Sequence, residues 1–143
     1  MQLLNESIAW EMKKYPLIAD NSGELGVLEY GKEFGFVGKR FFFLRGVKSG
    51  VIRGQHAHKN LKQLIVCLSG SFTIDLDSGL KKETFTMTSD CECLYLDGLV
   101  WREMRDFSTD AVMLVICDRK YENDEVIRDY IDFKKITDGV KVE

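Results

Sequence analysis

The chain has 143 residues, 45% of them hydrophobic, 11% aromatic and 30% charged, the composition of one globular domain large enough to bury roughly two-thirds of its unfolded surface. Its 20 Lys and Arg against 23 Asp and Glu give a formal charge of -3 with no basic run longer than two residues, so the clustered cations on which nucleic-acid binding rests are missing. No apolar run approaches the ~18 residues that span a bilayer, and Met1 to Ser7 lack a charged segment followed by an apolar one, so a cytoplasmic protein with neither membrane nor nucleic-acid partner is expected.

In chain order, the single proline, Pro16, follows a short segment of ambiguous pattern, and no linker divides what comes after it. Turn signals at Asn21-Ser22-Gly23, Gly31-Lys32, Lys48-Ser49-Gly50, Ser69-Gly70, Asp77-Ser78-Gly79, Ser89-Asp90 and Asp97-Gly98 punctuate short runs rich in Val, Ile, Phe and Thr. That rhythm belongs to a β-sandwich or β-barrel rather than to βαβ units. Strands are expected at Arg40–Leu44, Val51–His58, Gln63–Leu68, Ser71–Leu76, Glu83–Met87, Glu92–Leu96, Val100–Met104 and Ala111–Cys117. In one of them Phe72, Ile74 and Leu76 share a face opposite Thr73, Asp75 and Asp77. The spacing of Ile127, Tyr130, Ile131 and Lys134 predicts a helix over Asp124–Ile136 that closes one end of the barrel. Cys67 and Cys117 read as reduced core residues. Cys91 and Cys93 share a strand face but cannot complete a tetrahedral zinc site on their own.

Both histidines, His56 and His58, stand in Arg53-Gly54-Gln55-His56-Ala57-His58-Lys59. On a strand, residues i and i+2 point to one face about 6–7 Å apart, so the imidazoles share an environment. A His-x-His by itself fits an exposed polar pair better than a shared site. The frame around it is more specific: Gly50, His56, His58, Gln63 and Gly70 fall at the intervals of the first cupin motif, G-x5-H-x-H-x3-4-E-x6-G, with Gln63 in the glutamate position. The second motif, P-x-G-x2-H-x3-N, keeps only Gly98 in the stretch from Leu96 to Arg105. The chain thus resembles a cupin, which implies an all-β, antiparallel barrel of jelly-roll type over residues 1–143, with a short C-terminal helix. Cupin metal sites take two His and a Glu from the first motif and a further His from the second. With Gln63 neutral and Trp101 in the last position, two imidazoles and an amide make a poor divalent site, so neither a metal nor another cofactor is expected.

A finer resemblance runs from about Asp20 to Phe133. It is carried by Gly23-Glu24-Leu25, Lys39-Arg40, the histidine segment, Gln63 to Ser71, Leu94-Tyr95, Val100 to Met104, Asp106-Phe107-Ser108 and Ile127-Arg128-Asp129-Tyr130. The set is similar to the nucleotide-sugar 3,4-ketoisomerases of the WxcM-like cupin family. That resemblance implies conversion of dTDP-4-keto-6-deoxyglucose to a dTDP-3-keto-6-deoxyhexose, on the way to 3-amino sugars of lipopolysaccharide O-antigen and other surface polysaccharides. It implies His56 as the base at C3, His58 as the second proton carrier, and a homodimer exchanging N-terminal strands within residues 1–28. Arg40 and Arg53 are candidates for the diphosphate or for orienting the sugar. Gln63, Trp101 and Arg102 are expected to line the same pocket, and Arg102 leans toward the gluco product. One departure stands out: where the family has a tyrosine working with the histidine, this chain has Phe42, which transfers no proton. His58, another tyrosine or a bound water would then take over. Two other readings stay open, a sugar-nucleotide-binding cupin without turnover and a metal-dependent cupin.

Overall fold

The structure is a computed structural model describing residues 9–139. Its strands are β1 (Trp10–Lys14), β2 (Leu17–Asp20), β3 (Gly23–Gly26), β4 (Arg40–Arg45), β5 (Arg53–His58), β6 (Lys62–Ser69), β7 (Ser71–Asp77), β8 (Lys82–Thr88), β9 (Glu92–Asp97), β10 (Trp101–Arg105), β11 (Val112–Cys117) and β12 (Val126–Ile127), followed by one helix, α1 (Tyr130–Thr137). Apart from the β7–β8 hairpin, strands from β4 onward alternate between two antiparallel sheets, β1-β9-β6-β11-β4 and β12-β5-β10-β7-β8, while β2 and β3 pair only with each other. This is the expected jelly-roll barrel. Among the described residues no helix is long and apolar enough to cross a membrane.

The alternation read from the sequence decides what fills the barrel. Phe72, Ile74 and Leu76 of β7 meet Ile65 and Cys67 of β6, Leu94 and Leu96 of β9, and Met113 and Val115 of β11 across the gap between the sheets. Each such buried large side chain contributes about 1.5–3 kcal/mol. Gly70 turns the chain from β6 into β7 with φ +68, and a Cβ there would sit 2.2 Å from the Ser108 hydroxyl and 2.8 Å from the Ala111 amide, so the turn accepts only glycine. Tyr15, Phe34 and Phe36 from the N-terminal segment cover Leu64, Val66, Cys93 and Ile116 on the outer face of the first sheet. The β2–β3 hairpin gains no such cover, and Ile18 and Leu25 on it stay exposed.

At the C-terminal end the helix is shorter than its periodicity predicts. Asn123–Glu125 form a single 3-10 turn, and Val126 and Ile127 then extend to pair with His58 and Ala57 of β5. Asp129 stops that strand and starts the helix, its carboxylate accepting from the Ile131 and Asp132 amides. Edge pairing satisfies the backbone of residues 126–127 just as a helical turn would, and it also delivers Ile127 to the cluster beneath Phe133.

β5 carries the feature that matters most for the site. Its pairing with β10 slips between Arg102 and Glu103: Arg102 faces His56 and Glu103 faces Gly54, leaving Gln55 as an extra residue. Gly54 and Gln55 both have positive φ, +86 and +54, and a Cβ on Gly54 would crowd the Arg102 carbonyl at 3.0 Å. The bulge changes which residues share a face. On a regular strand Arg53 and His56, three apart, point to opposite faces; with Gln55 inserted, Arg53 lies opposite inward-facing Met104 and joins the histidines.

Candidate active site

Two cavities meet at His56. Behind it lies a chamber of about 160 Å³ lined by Phe42, Leu44, Ile65, Met104, Met113 and Val115, with Arg53, Gln63 and Arg102 as its polar walls. In front is a more open mouth of about 320 Å³ formed by Arg40, Phe42, His58, Tyr121, Val126 and Arg128. The inner face of β5 supplies both imidazoles, whose ring centroids lie 4.8 Å apart at 89°.

The hydrogen bonding of His56 assigns its tautomer. Its Nδ1 sits 2.8 Å from the Gly54 carbonyl, which only accepts, so Nδ1 carries the proton and Nε2 keeps a free lone pair. Burial, then the Arg102 charge, push His56 down to about 4; burial, then Arg102 and His56, push His58 down to about 2. Both rings are therefore neutral at physiological pH, the form that accepts a proton.

Arg102 reaches inward from β10. Its Nη1 donates to Gln63 Oε1 and its Nη2 donates to the Val100 carbonyl at 2.9 Å, and burial lowers it only to about 10, so it stays charged. Gln63 in turn donates through Nε2 to Cys117 Sγ at 3.5 Å, and Arg40 donates to the same sulfur. At the mouth the Arg40 guanidinium lies 5.7 Å from the Phe42 ring centre and 5.5 Å from that of Tyr121. Arg128 Nη2 donates to the Tyr121 oxygen at 3.1 Å, and Asn123 Oδ1 accepts from the Tyr121 hydroxyl.

Of the residues singled out in the sequence, His56, His58, Arg40, Arg53, Gln63 and Arg102 thus come together. Trp101 does not. It pairs with Ala57 and Asp77, so its indole points out of the barrel and packs against Tyr130 and Phe133 of α1. Aligning the second motif puts Trp101 in the ligand position, but strand parity turns its neighbour Arg102 inward instead. Tyr121 and Arg128 were missed as site residues. The signal for Arg128 lay in the Ile127-Arg128 pair, since any strand pairing with the histidine strand carries the next residue to the mouth. Tyr121 has no such signal, because it arrives on a loop.

This donor set does not fit the metal of other cupins. Two imidazoles are present, but the Gln63 oxygen already accepts from a guanidinium, and that guanidinium is a cation beside the site a metal would take. Among the described residues no three His, Cys, Asp or Glu side chains are grouped to hold a metal ion. Cys67, Cys93 and Cys117 are buried free thiols, as their apolar contexts suggest.

Comparisons with known proteins agree with this geometry. The chain is 39% identical over 126 residues, 88% of its own length and 91% of the relative's, to the TDP-4-oxo-6-deoxy-alpha-D-glucose-3,4-oxoisomerase of Aneurinibacillus thermoaerophilus. The fold matches the 3,4-ketoisomerase QdtA of Thermoanaerobacterium thermosaccharolyticum, solved as a point mutant with TDP-4-keto-6-deoxyglucose, with a TM-score of 0.88 at 30% identity over 94% of this chain and 98% of that one. It also matches the TDP-quinovose 3,4-ketoisomerase WlaRB of Campylobacter jejuni, with a TM-score of 0.83 at 34% identity over 93% and 99% of the two chains. The profile described as FdtA, WxcM-like, C-terminal covers residues 9–138, and the chain belongs to that family.

Proposed function

We propose that the chain is a 3,4-ketoisomerase that converts dTDP-4-keto-6-deoxyglucose to the dTDP-3-keto-6-deoxy sugar without metal or redox cofactor. The observation that carries this reading is the His56 ring, neutral, anchored through Nδ1 and free at Nε2 where both cavities meet. The C4 ketone acidifies the C3 proton. Nε2 takes that proton, the C3–C4 enediol forms, a proton passes between the two oxygens, and C4 is reprotonated to leave the ketone at C3. Atoms and electrons balance within the sugar. His58, edge-on to His56, is placed to carry the second proton, as Phe42 has no hydroxyl. Arg40 and Arg128 at the mouth, with Arg53, suit the diphosphate, while Gln63 and Arg102 lie deeper, against the sugar.

The presence of Arg102 supports a gluco product, and an aminotransferase acting on the new ketone would then yield a 3-amino sugar for surface polysaccharide. A homodimer is supported by the uncovered β2–β3 hairpin and by Phe41 and Phe43 exposed on edge strand β4, since an isolated hairpin is marginal in water. The part of the exchanged segment over residues 1–8 lies outside the described residues. Phe42 favours one second reading, a binding protein without turnover.

Incubation with dTDP-4-keto-6-deoxyglucose in heavy water, followed by NMR, tests the function. Deuterium at C4 of a 3-keto product is expected, in the presence of a chelator as in its absence. Tight binding with no exchange at C3 would establish the second reading instead, and loss of activity on chelation would overturn the metal-free one.

A further inference from the structure

Arg102 is only 2% exposed and carries its charge inside the barrel, yet its two protein acceptors, Gln63 Oε1 and the Val100 carbonyl, are both neutral. None of the ion pairs among the described residues includes it, and its Nε hydrogen has no acceptor at all. A buried cation without a counter-ion is among the most costly arrangements a core can hold, and a guanidinium serving only to pack would be expected to have its donors met. The groups facing it add no negative charge: His56 and His58 are neutral, Arg40 and Arg128 are cations, and Cys117 is a buried thiol. What the chamber lacks is an anion.

The reaction makes one there. Removing the C3 proton pushes negative charge onto the oxygen at C4, one carbon away from the base. Arg102 and His56 are direct cross-strand partners on the inner face, which brings side chains within a few ångströms of each other. The diphosphate, by contrast, belongs at the open mouth with Arg40 and Arg128.

We propose that Arg102 is a catalytic residue, its guanidinium being the fixed counter-charge for the enediolate, and that Gln63 is the positioning residue that holds it without neutralising it. This rests on the ketoisomerase reading. A glutamate at position 63 would still accept from Arg102 but would pair its charge away. Gln63 therefore has a chemical reason to be an amide: it keeps the cation available for charge that appears only during the reaction, where a preorganised dipole or ion in a low-dielectric site acts most strongly.

The test uses wild type, Gln63→Glu, Arg102→Lys and Arg102→Met, with dTDP-4-keto-6-deoxyglucose in heavy water and chelator present so that no new metal site forms. Exchange at C3 gives kcat and KM, and thermal melts check folding. Gln63→Glu is expected to lower kcat by about 100- to 1,000-fold with KM within a few-fold, Arg102→Met by at least as much, and Arg102→Lys by less than Arg102→Met. The NMR titration of the only two histidines should move upward in Gln63→Glu and Arg102→Met, because the cation that opposes their protonation is paired or gone. If Arg102→Met fails to fold, the near-isosteric Gln63→Glu carries the test. A folded Gln63→Glu that exchanges C3 at the wild-type rate overturns the proposal, and so does an Arg102→Met effect confined to KM. Absence of exchange in the wild type would overturn the ketoisomerase reading and the proposal with it, a result distinct from either.

Discussion

Behind His56 the barrel encloses a chamber walled by Ile65, Met104, Met113 and Val115 with Arg102 sealed into it; in front, Arg40 and Arg128 flank the half-exposed Tyr121 in a mouth open to solvent. β4 and β5 contribute to both, and the histidines are the partition. The difference is one of dielectric surroundings. At the mouth a guanidinium meets salt and water, which screen it within about 8–10 Å. In the chamber there is little to screen a charge, so a cation there acts on whatever charge develops beside it. Chamber substitutions should therefore be read in kcat and mouth substitutions in KM.

The largest expected effect lies on the partition itself. His56→Asn keeps a hydrogen-bonding group on β5 but removes the proton acceptor, and kcat should fall about 100- to 10,000-fold with nucleotide affinity little changed, measured by isomerisation rate and by calorimetric titration with dTDP. A loss of affinity matching the loss of rate would show that His56 binds rather than abstracts. Arg40→Met or Arg128→Met should raise KM about tenfold and change kcat little, while flattening the dependence of kcat/KM on salt between low and physiological ionic strength. A kcat effect with unchanged KM would erase the distinction between mouth and chamber.

Much of this arrangement was legible in the chain and some was not, for definable reasons. Period-two alternation in β7 identified the inner face, and His-x-His on one strand identified the pair that shares it. What failed is whatever depends on where a strand slips or ends. Nothing but Gly54 hints at the bulge, so the inward turn of Arg53 cannot be read from spacing. Trp101 and Arg102 are adjacent, and motif alignment took both for the pocket because it counts residues without counting faces. Residues 124–129 have a helical apolar pattern that loses to edge pairing with β5.

Two smaller effects sharpen the picture. The folded histidines titrate near 4 and 2, below the ~6.5 of an unfolded chain, so between those values the unfolded state binds more protons. Their contribution to stability is complete above about pH 6.5 and is lost as pH falls toward 4 for His56 and on toward 2 for His58. The melting temperature should drop on the order of 5 °C across that window by circular dichroism, and less in a His56→Gln/His58→Gln double variant. An identical slope in that variant would locate the pH sensitivity elsewhere. Smallest in activity is Trp101→Phe, expected to leave kcat and KM within twofold and to lower the melting temperature by a few degrees, since the indole packs under α1. A large KM effect would bring Trp101 back to the substrate.

The extra residue in β5 makes the local backbone conformation there a functional variable. A Gly54→Val variant that cannot hold φ +86 and lets Gln55 pair opposite Glu103 would still pair β5 with β10, yet Arg53 would then fall opposite Arg105 and swing to the outside of the barrel. Such a protein would fold and express while having lost a site cation, a lesion invisible to any screen for solubility. Deleting Gln55 in that variant would bring Arg53 back to two residues from His56 and onto its face, so what the segment from Arg53 to His58 must keep is the match between its length and its bulge.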